Sequence, residues 1–214
     1  METLPPAVLL AFAGGSLDAF LYFAHNHVFA GAMTGNAVLA GIAMLSRDSQ
    51  ETWHHLLPIA AFLMGVWLAE VLQTRLQRHA VTVGLVLEAV GLTAAAFLPG
   101  NFPELIFAPA VALLAAFQVT SFRTVDSFSY NSTFITGNLR EMVMGIHAAL
   151  DAGKRKEGLR KARDLGLIAL SFVAGAVSGA MLAARLHNRT LLLPVAVLLV
   201  TLAMVSLRER RLSA

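Results

Sequence analysis

The amino-acid sequence predicts an all-α, polytopic transmembrane helical bundle of about eight apolar helices, arranged as two repeats of four. Three observations carry that prediction. Hydrophobic residues make up 57% of the chain and charged residues 14%, with a mean hydropathy of +0.69; a soluble globular domain holds about 45–50% and about 25%. The apolar residues are gathered into runs that follow one another almost without pause, and about 20 such residues in a helix cross a bilayer. Finally, Thr-Gly-Asn occurs at 34–36 and again at 136–138, both times inside apolar sequence. The other spanning solution, a closed barrel, needs a sustained period of two that is absent here.

The net charge of +3 does not point to nucleic acid, because the basic residues sit in short segments between apolar runs, where they act as orientation signals. With no cysteine there is no disulfide framework and no thiolate chemistry. Met1 to Pro6 lacks the basic start of a cleaved signal peptide, so the first run is expected to stay. The whole of 1–214 is read as one membrane domain, with repeat 1 over 5–98 and repeat 2 over 103–207.

In order, Pro6 to Ala24 is the first run, carrying Gly14, Gly15 and Asp18. An aspartate at that depth costs about 2.5–3.5 kcal/mol on insertion scales, so it should face other helices or a wet cavity. Val28 to Leu45 follows a polar knuckle at His25-Asn26-His27 and holds the first Thr-Gly-Asn. Leu56 to Leu72 and Ala80 to Leu98, with Glu88 in mid-span, complete the first half before Pro99-Gly100 breaks the chain. Leu105 to Phe122 carries Gln118. The Ser/Thr-rich stretch Arg123 to Thr133 leads into Phe134 to Leu150, where Arg140 and Glu141 follow the second Thr-Gly-Asn; this run should be sheltered in the bundle or line a cavity. A basic loop at 151–164 separates it from Leu165 to Leu186 and Leu191 to Leu207.

The repeat rests on two offsets. Thr34-Gly35-Asn36 matches Thr136-Gly137-Asn138 at 102, while Phe62, Gly65, Arg75 and Leu76 match Phe172, Gly175, Arg185 and Leu186 at 110. With eight crossings, the side of both termini collects Arg47, the basic 151–164 loop and the tail, against Arg75, Arg78, Arg123, Arg185 and Arg189 opposite. The positive-inside rule then places both termini in the cytoplasm. If both Thr-Gly-Asn segments are instead broken or re-entrant, each half has three crossings and the repeat becomes inverted.

Asp18 after Gly14-Gly15, Met33-Thr34-Gly35-Asn36, and Ile135-Thr136-Gly137-Asn138 after a Ser/Thr-rich approach resemble the YoaK-like family of bacterial membrane proteins, a domain of unknown function. The resemblance covers nearly the whole chain and implies an integral protein of the bacterial inner membrane, without naming a substrate.

Duplicated membrane chains with buried polar residues point to transport. The leading expectation is a permease for a small polar or amphipathic solute, proton-coupled through Asp18. Asn36 and Asn138 line a site from both halves, with Gln118, Glu88 and Arg140 as further polar groups and Thr34 and Thr136 in the same motifs. The bland alternative makes the asparagines interhelical glue and the glycines packing notches. An intramembrane enzyme acting on a lipid or isoprenoid, using Asp18, His25 or Asp126, and a non-catalytic scaffold are the other readings. No nucleophile motif and no metal-ligand spacing occur, so no catalytic residue, metal or cofactor is expected. The expected partners are the lipid bilayer and a small-molecule solute, with no nucleic acid; a homo-oligomer stays open.

Overall fold

A computed structural model describes residues 4–122, 124–125, 128–129 and 135–213. Over these residues the regular secondary structure is helical but for one two-residue antiparallel pair, Thr124–Val125 with Phe128–Ser129. The helices are α1 (Leu4–Ala24), α2 (Met33–Leu45), α3 (Ser49–Leu76), α4 (Ala80–Ala96), α5 (Glu104–Ser121), α6 (Ile135–Ala148), α7 (Arg155–Leu186) and α8 (Leu192–Ser213). Four stretches are long and apolar enough to cross a membrane: Leu4–Ala24, Ser49–Leu76, Glu104–Ser121 and Arg155–Leu207, the last made of α7 and most of α8. Large apolar side chains such as Leu63, Val90, Leu170 and Met181 stand exposed on the outer surface, as they do where lipid is the solvent.

The helix ends have local causes. Asp48 caps α3, its carboxylate accepting from the Glu51 amide at 3.0 Å. α3 stops where Gln77 turns to φ +46°, and α7 stops where His187 turns to φ +48°. At both places the turning residue donates its amide to the carbonyl four residues back, and a short 3-10 helix leads into the next long helix. The same corner is thus built twice, 110 residues apart.

Residue pairings fix the helix directions. α1 and α7 run parallel: Ser171 Oγ donates to the Val8 carbonyl at 2.7 Å, Gly175 lies against Phe12 and Gly179 against Ser16. α3 and α5 also run parallel, with Gly65 against Leu113 and Gln73 donating to the Thr120 carbonyl at 3.2 Å. α1 and α5 are antiparallel, since Gln118 reaches Leu10, Phe107 meets Phe20 and Glu104 meets His25. α4 lies antiparallel to α5, with Gly84 near Phe117 and Gly91 near Leu114. α8 packs back along α1 and α4. The core between them holds Leu10, Leu17, Phe20, Leu92, Phe107 and Leu198.

One end of the bundle therefore gathers the ends of α1, α4 and α7 and the starts of α3, α5 and α8. The other end, the terminal face, holds the start of α1 and the end of α8. α1 leaves, and α3 begins, at the same end, so residues 25–48 double back. α5 finishes and α7 starts at the terminal face, so the segment between them doubles back too, α6 lying antiparallel on α7 with Gly145 against Gly158 and Glu141 against Lys161.

This changes which of the expected runs are of spanning length. α2 has 13 residues, about 20 Å of helix against a hydrocarbon core of about 30 Å. The apolar run Val28 to Leu45 is thus not one spanning helix but a non-helical entry followed by a short helix. The segment 151–164, expected as loop, is helical from Arg155, because its Arg, Lys, Leu and Ala are good helix formers. The approach Arg123 to Thr133 lies largely outside the described residues, as does Asp126.

Candidate functional site

The site is organised by the break after α1. Asn26 and His27 take φ values of +50° and +55°, which end α1 and turn the chain inward. Phe29 then stacks on Tyr22 with ring centroids 5.0 Å apart, and the Gly31 amide donates to Asp18 Oδ1 at 2.6 Å. Asp18 lies seven residues before His25, so at Gly31 the chain has sunk about 10 Å below the end of α1. α2 starts there, at Met33, and carries the chain back out.

Asn36 holds this entry in shape. It is fully buried, accepts from the Phe29 amide at 2.9 Å and donates to the Phe29 carbonyl at 2.9 Å. One side chain thereby satisfies both backbone groups of a residue with no helical partner, which non-helical backbone needs in a buried place. Gly35 is small for the same reason: a Cβ there would stand 2.7 Å from the Phe29 ring. Met33-Thr34-Gly35-Asn36 is therefore the start of a helix whose first turn clamps the non-helical segment before it.

The expected site residues are placed as follows. Asp18 and Asn36 come together on the 29–31 segment. Gln118 is buried on α5 and donates to the Leu10 carbonyl at 2.8 Å, two turns along α1 from Asp18. Asn138 is buried at the start of α6, whereas Thr34, Thr136 and Arg140 are exposed. Glu88 is wholly buried in α4. Arg140, expected to be sheltered, faces outward because α6 lies on the outside of α7. Its neighbour Glu141 accepts from Lys161 Nζ at 2.6 Å, a bond that holds the Glu141 carboxyl below the usual range.

Several buried oxygens have no partner among the described residues: Asp18 Oδ2, Gln118 Oε1 and both carboxyl oxygens of Glu88. Such atoms are costly in a finished core. Asn36, by contrast, has spent its amide on the backbone. Among the described residues no cluster of His, Asp and Glu has the geometry to hold a metal ion.

A second polar group lies at the end of the bundle opposite the terminal face. His25 pairs through Nδ1 with Glu104 at 2.8 Å and through Nε2 with Asn188 Oδ1 at 3.1 Å, and Asn188 Nδ2 donates to the Leu98 carbonyl at 3.2 Å. Phe107 stacks on the imidazole at a centroid distance of 4.2 Å. Both ring nitrogens face side-chain oxygens, of Glu104 on one side and Asn188 on the other. This staple joins the ends of α1, α4 and α7 to the start of α5. The sequence offers His25 in the polar knuckle and as a candidate for the intramembrane-enzyme reading, but it points to neither Glu104 nor Asn188, because these partners lie 79 and 163 residues away and carry no shared motif.

The comparisons agree with this helical, membrane-type construction. The UPF0700 transmembrane protein YoaK of Bacillus subtilis (strain 168) is 29% identical over 182 residues, covering 82% of this chain and 80% of that protein. No solved structure matches. The family model described as protein of unknown function (DUF1275) matches residues 6–204. The chain is thus a helical membrane protein and belongs to the DUF1275 family.

Proposed function

We propose that the protein is a transporter or permease for a small polar or amphipathic solute, built from two inverted repeats of four helices. In each repeat three helices cross the bilayer, and the second (α2 or α6) is re-entrant. The observation that carries this is the non-helical segment at 25–32, which sinks to the level of Asp18 and is braced there by Asp18 and Asn36. Irregular backbone at membrane depth is tolerated where protein buries it or where it lines a watery cavity, and broken helices of this kind build transporter sites.

Matching contacts support the repeat. Gly65 of α3 meets Leu113 of α5, and Gly175 of α7 meets Phe12 of α1. The glycines differ by 110 residues and their partners by 101, close to the offsets of the sequence repeats. The corners at Gln77 and His187 match in the same way. Because α1 and α5 are antiparallel, the two units are related by inversion.

Six crossings also sharpen the charge asymmetry. Among the described residues, every Lys and Arg except Arg47, Arg185 and Arg189 then belongs to the terminal half of the bundle. The positive-inside rule favours both termini in the cytoplasm of a bacterial plasma membrane more strongly than the eight-crossing arrangement does.

Asp18 is the coupling carboxylate in this scheme. The Gly31 amide donates to one oxygen of Asp18 at 2.6 Å, and Asp18→Asn keeps that acceptor while removing the ionisable group. A thermal-shift screen against a metabolite library identifies the solute through its preferential binding to the folded form. Uptake of that solute into proteoliposomes under an imposed pH gradient is expected for the wild type and lost in Asp18→Asn. Equal uptake by both removes Asp18 from the mechanism.

A further inference from the structure

We propose that the end of the bundle opposite the terminal face carries a binding site for a phosphate-type oxyanion, formed by Arg185 and Arg189. A cavity of about 490 Å³ opens there between the α4–α5 turn, at 96–100, and the α7–α8 corner, at 185–189. Arg185, His187 and Arg189 line it, and no acidic residue does. Neither arginine has an ion-pair partner among the described residues. Glu104, the acidic residue that opens α5, turns to His25 instead.

An arginine in the last turn of a helix is favoured by the helix dipole, and interfacial arginines snorkel to headgroups. Those effects account for Arg185 taken singly. They do not account for a second arginine, outside α7, on the same cavity. Nor do they explain why two of the three basic residues at this end converge on one hollow, when the charge distribution otherwise empties that side.

The wall between the arginines is fixed before any ligand arrives. Asn188 lines the cavity, yet its amide is bonded to His25 and to the Leu98 carbonyl. His187 is held at φ +48°, so the corner that presents both arginines has a set shape. Guanidinium groups match the planar pairs of oxygens of phosphate, and a pre-formed site loses less entropy on binding. The phosphate can come from a soluble anion or from a phospholipid headgroup, since the cavity lies at the level where α4 and α7 end.

The test uses the full-length protein in a maltoside detergent, which carries no phosphate. Inorganic phosphate is titrated by calorimetry against sodium chloride at matched ionic strength, and phospholipid retained from the membrane is read by native mass spectrometry. Saturable phosphate binding, weakened about ten-fold for each arginine removed in Arg185→Gln and Arg189→Gln, supports a soluble ligand. Retained phospholipid that disappears in the double variant, without a phosphate response, supports the headgroup. Indistinguishable behaviour of wild type and variants in both measurements overturns the proposal. Should the double variant fail to fold, Arg189→Gln alone gives the same reading, because it leaves α7 intact.

Discussion

Gly175→Ala tests the packing that sets the helix directions. A Cβ on Gly175 would stand 2.8 Å from the Phe12 carbonyl carbon, 2.9 Å from Phe12 Cα, and closer still to the carbonyl oxygen. All three atoms are backbone of α1, so none can rotate away. Relief requires α1 and α7 to part by roughly 1 Å, since carbon contacts settle at about 3.5–4.0 Å. Overpacking of this kind costs about 1–3 kcal/mol, offset by about 1 kcal/mol from the better helix propensity of alanine. The net cost of up to about 2 kcal/mol, at about 2–4 °C per kcal/mol for a chain of this size, should lower the melting temperature in detergent by up to about 8 °C. Gly41→Ala is the control: beyond its own helix backbone no atom lies within 4 Å of its Cβ, so only the propensity gain remains and the melting point should hold or rise. Gly65→Ala, facing Leu113, should fall as Gly175→Ala does. If Gly175→Ala melts above the wild type, as only a propensity gain would make it, the close α1–α7 contact is wrong.

Asn36→Asp replaces the donor to the Phe29 carbonyl with a second acceptor, so it should destabilise the fold by about 1–3 kcal/mol in denaturant melts despite its near-identical size; a neutral effect would mean that the amide does not clamp Phe29. Asn188→Leu strands His25 Nε2 and the Leu98 carbonyl, and a double-mutant cycle with His25→Leu should return a coupling of about 0.5–3 kcal/mol. Additive losses would dissolve the staple.

The class of the protein was legible because lipid-facing helices require sustained apolar runs, and Thr-Gly-Asn stood out because Asn is expensive there. Which runs cross was not legible. Val28 to Leu45 has the composition of a span, and what breaks it is tertiary: the Asp18 bond to Gly31 and the Asn36 clamp on Phe29, made across 13 and 7 residues. The charges of 155–164 read as loop, yet their side chains favour helix, and Gly158 lets that helix rest on Gly145. The role of Asn36 was half visible. Its burial followed from its place in an apolar run, but its partner is its own entry segment and not a facing helix. Nothing local announced Asn188, whose meaning depends on His25 and Leu98 arriving at the same corner.

The doubled-back segments are tested most directly by which side of the membrane residues 47 and 153 occupy. The chain has no cysteine, so Arg47→Cys and Gly153→Cys can each be probed in intact cells with a membrane-impermeant maleimide without altering the background. Six crossings with two re-entrant segments predict labelling at 47 from outside and at 153 only after the membrane is opened. Labelling of both residues from the same side would restore a chain that crosses eight times and remove the inverted repeat.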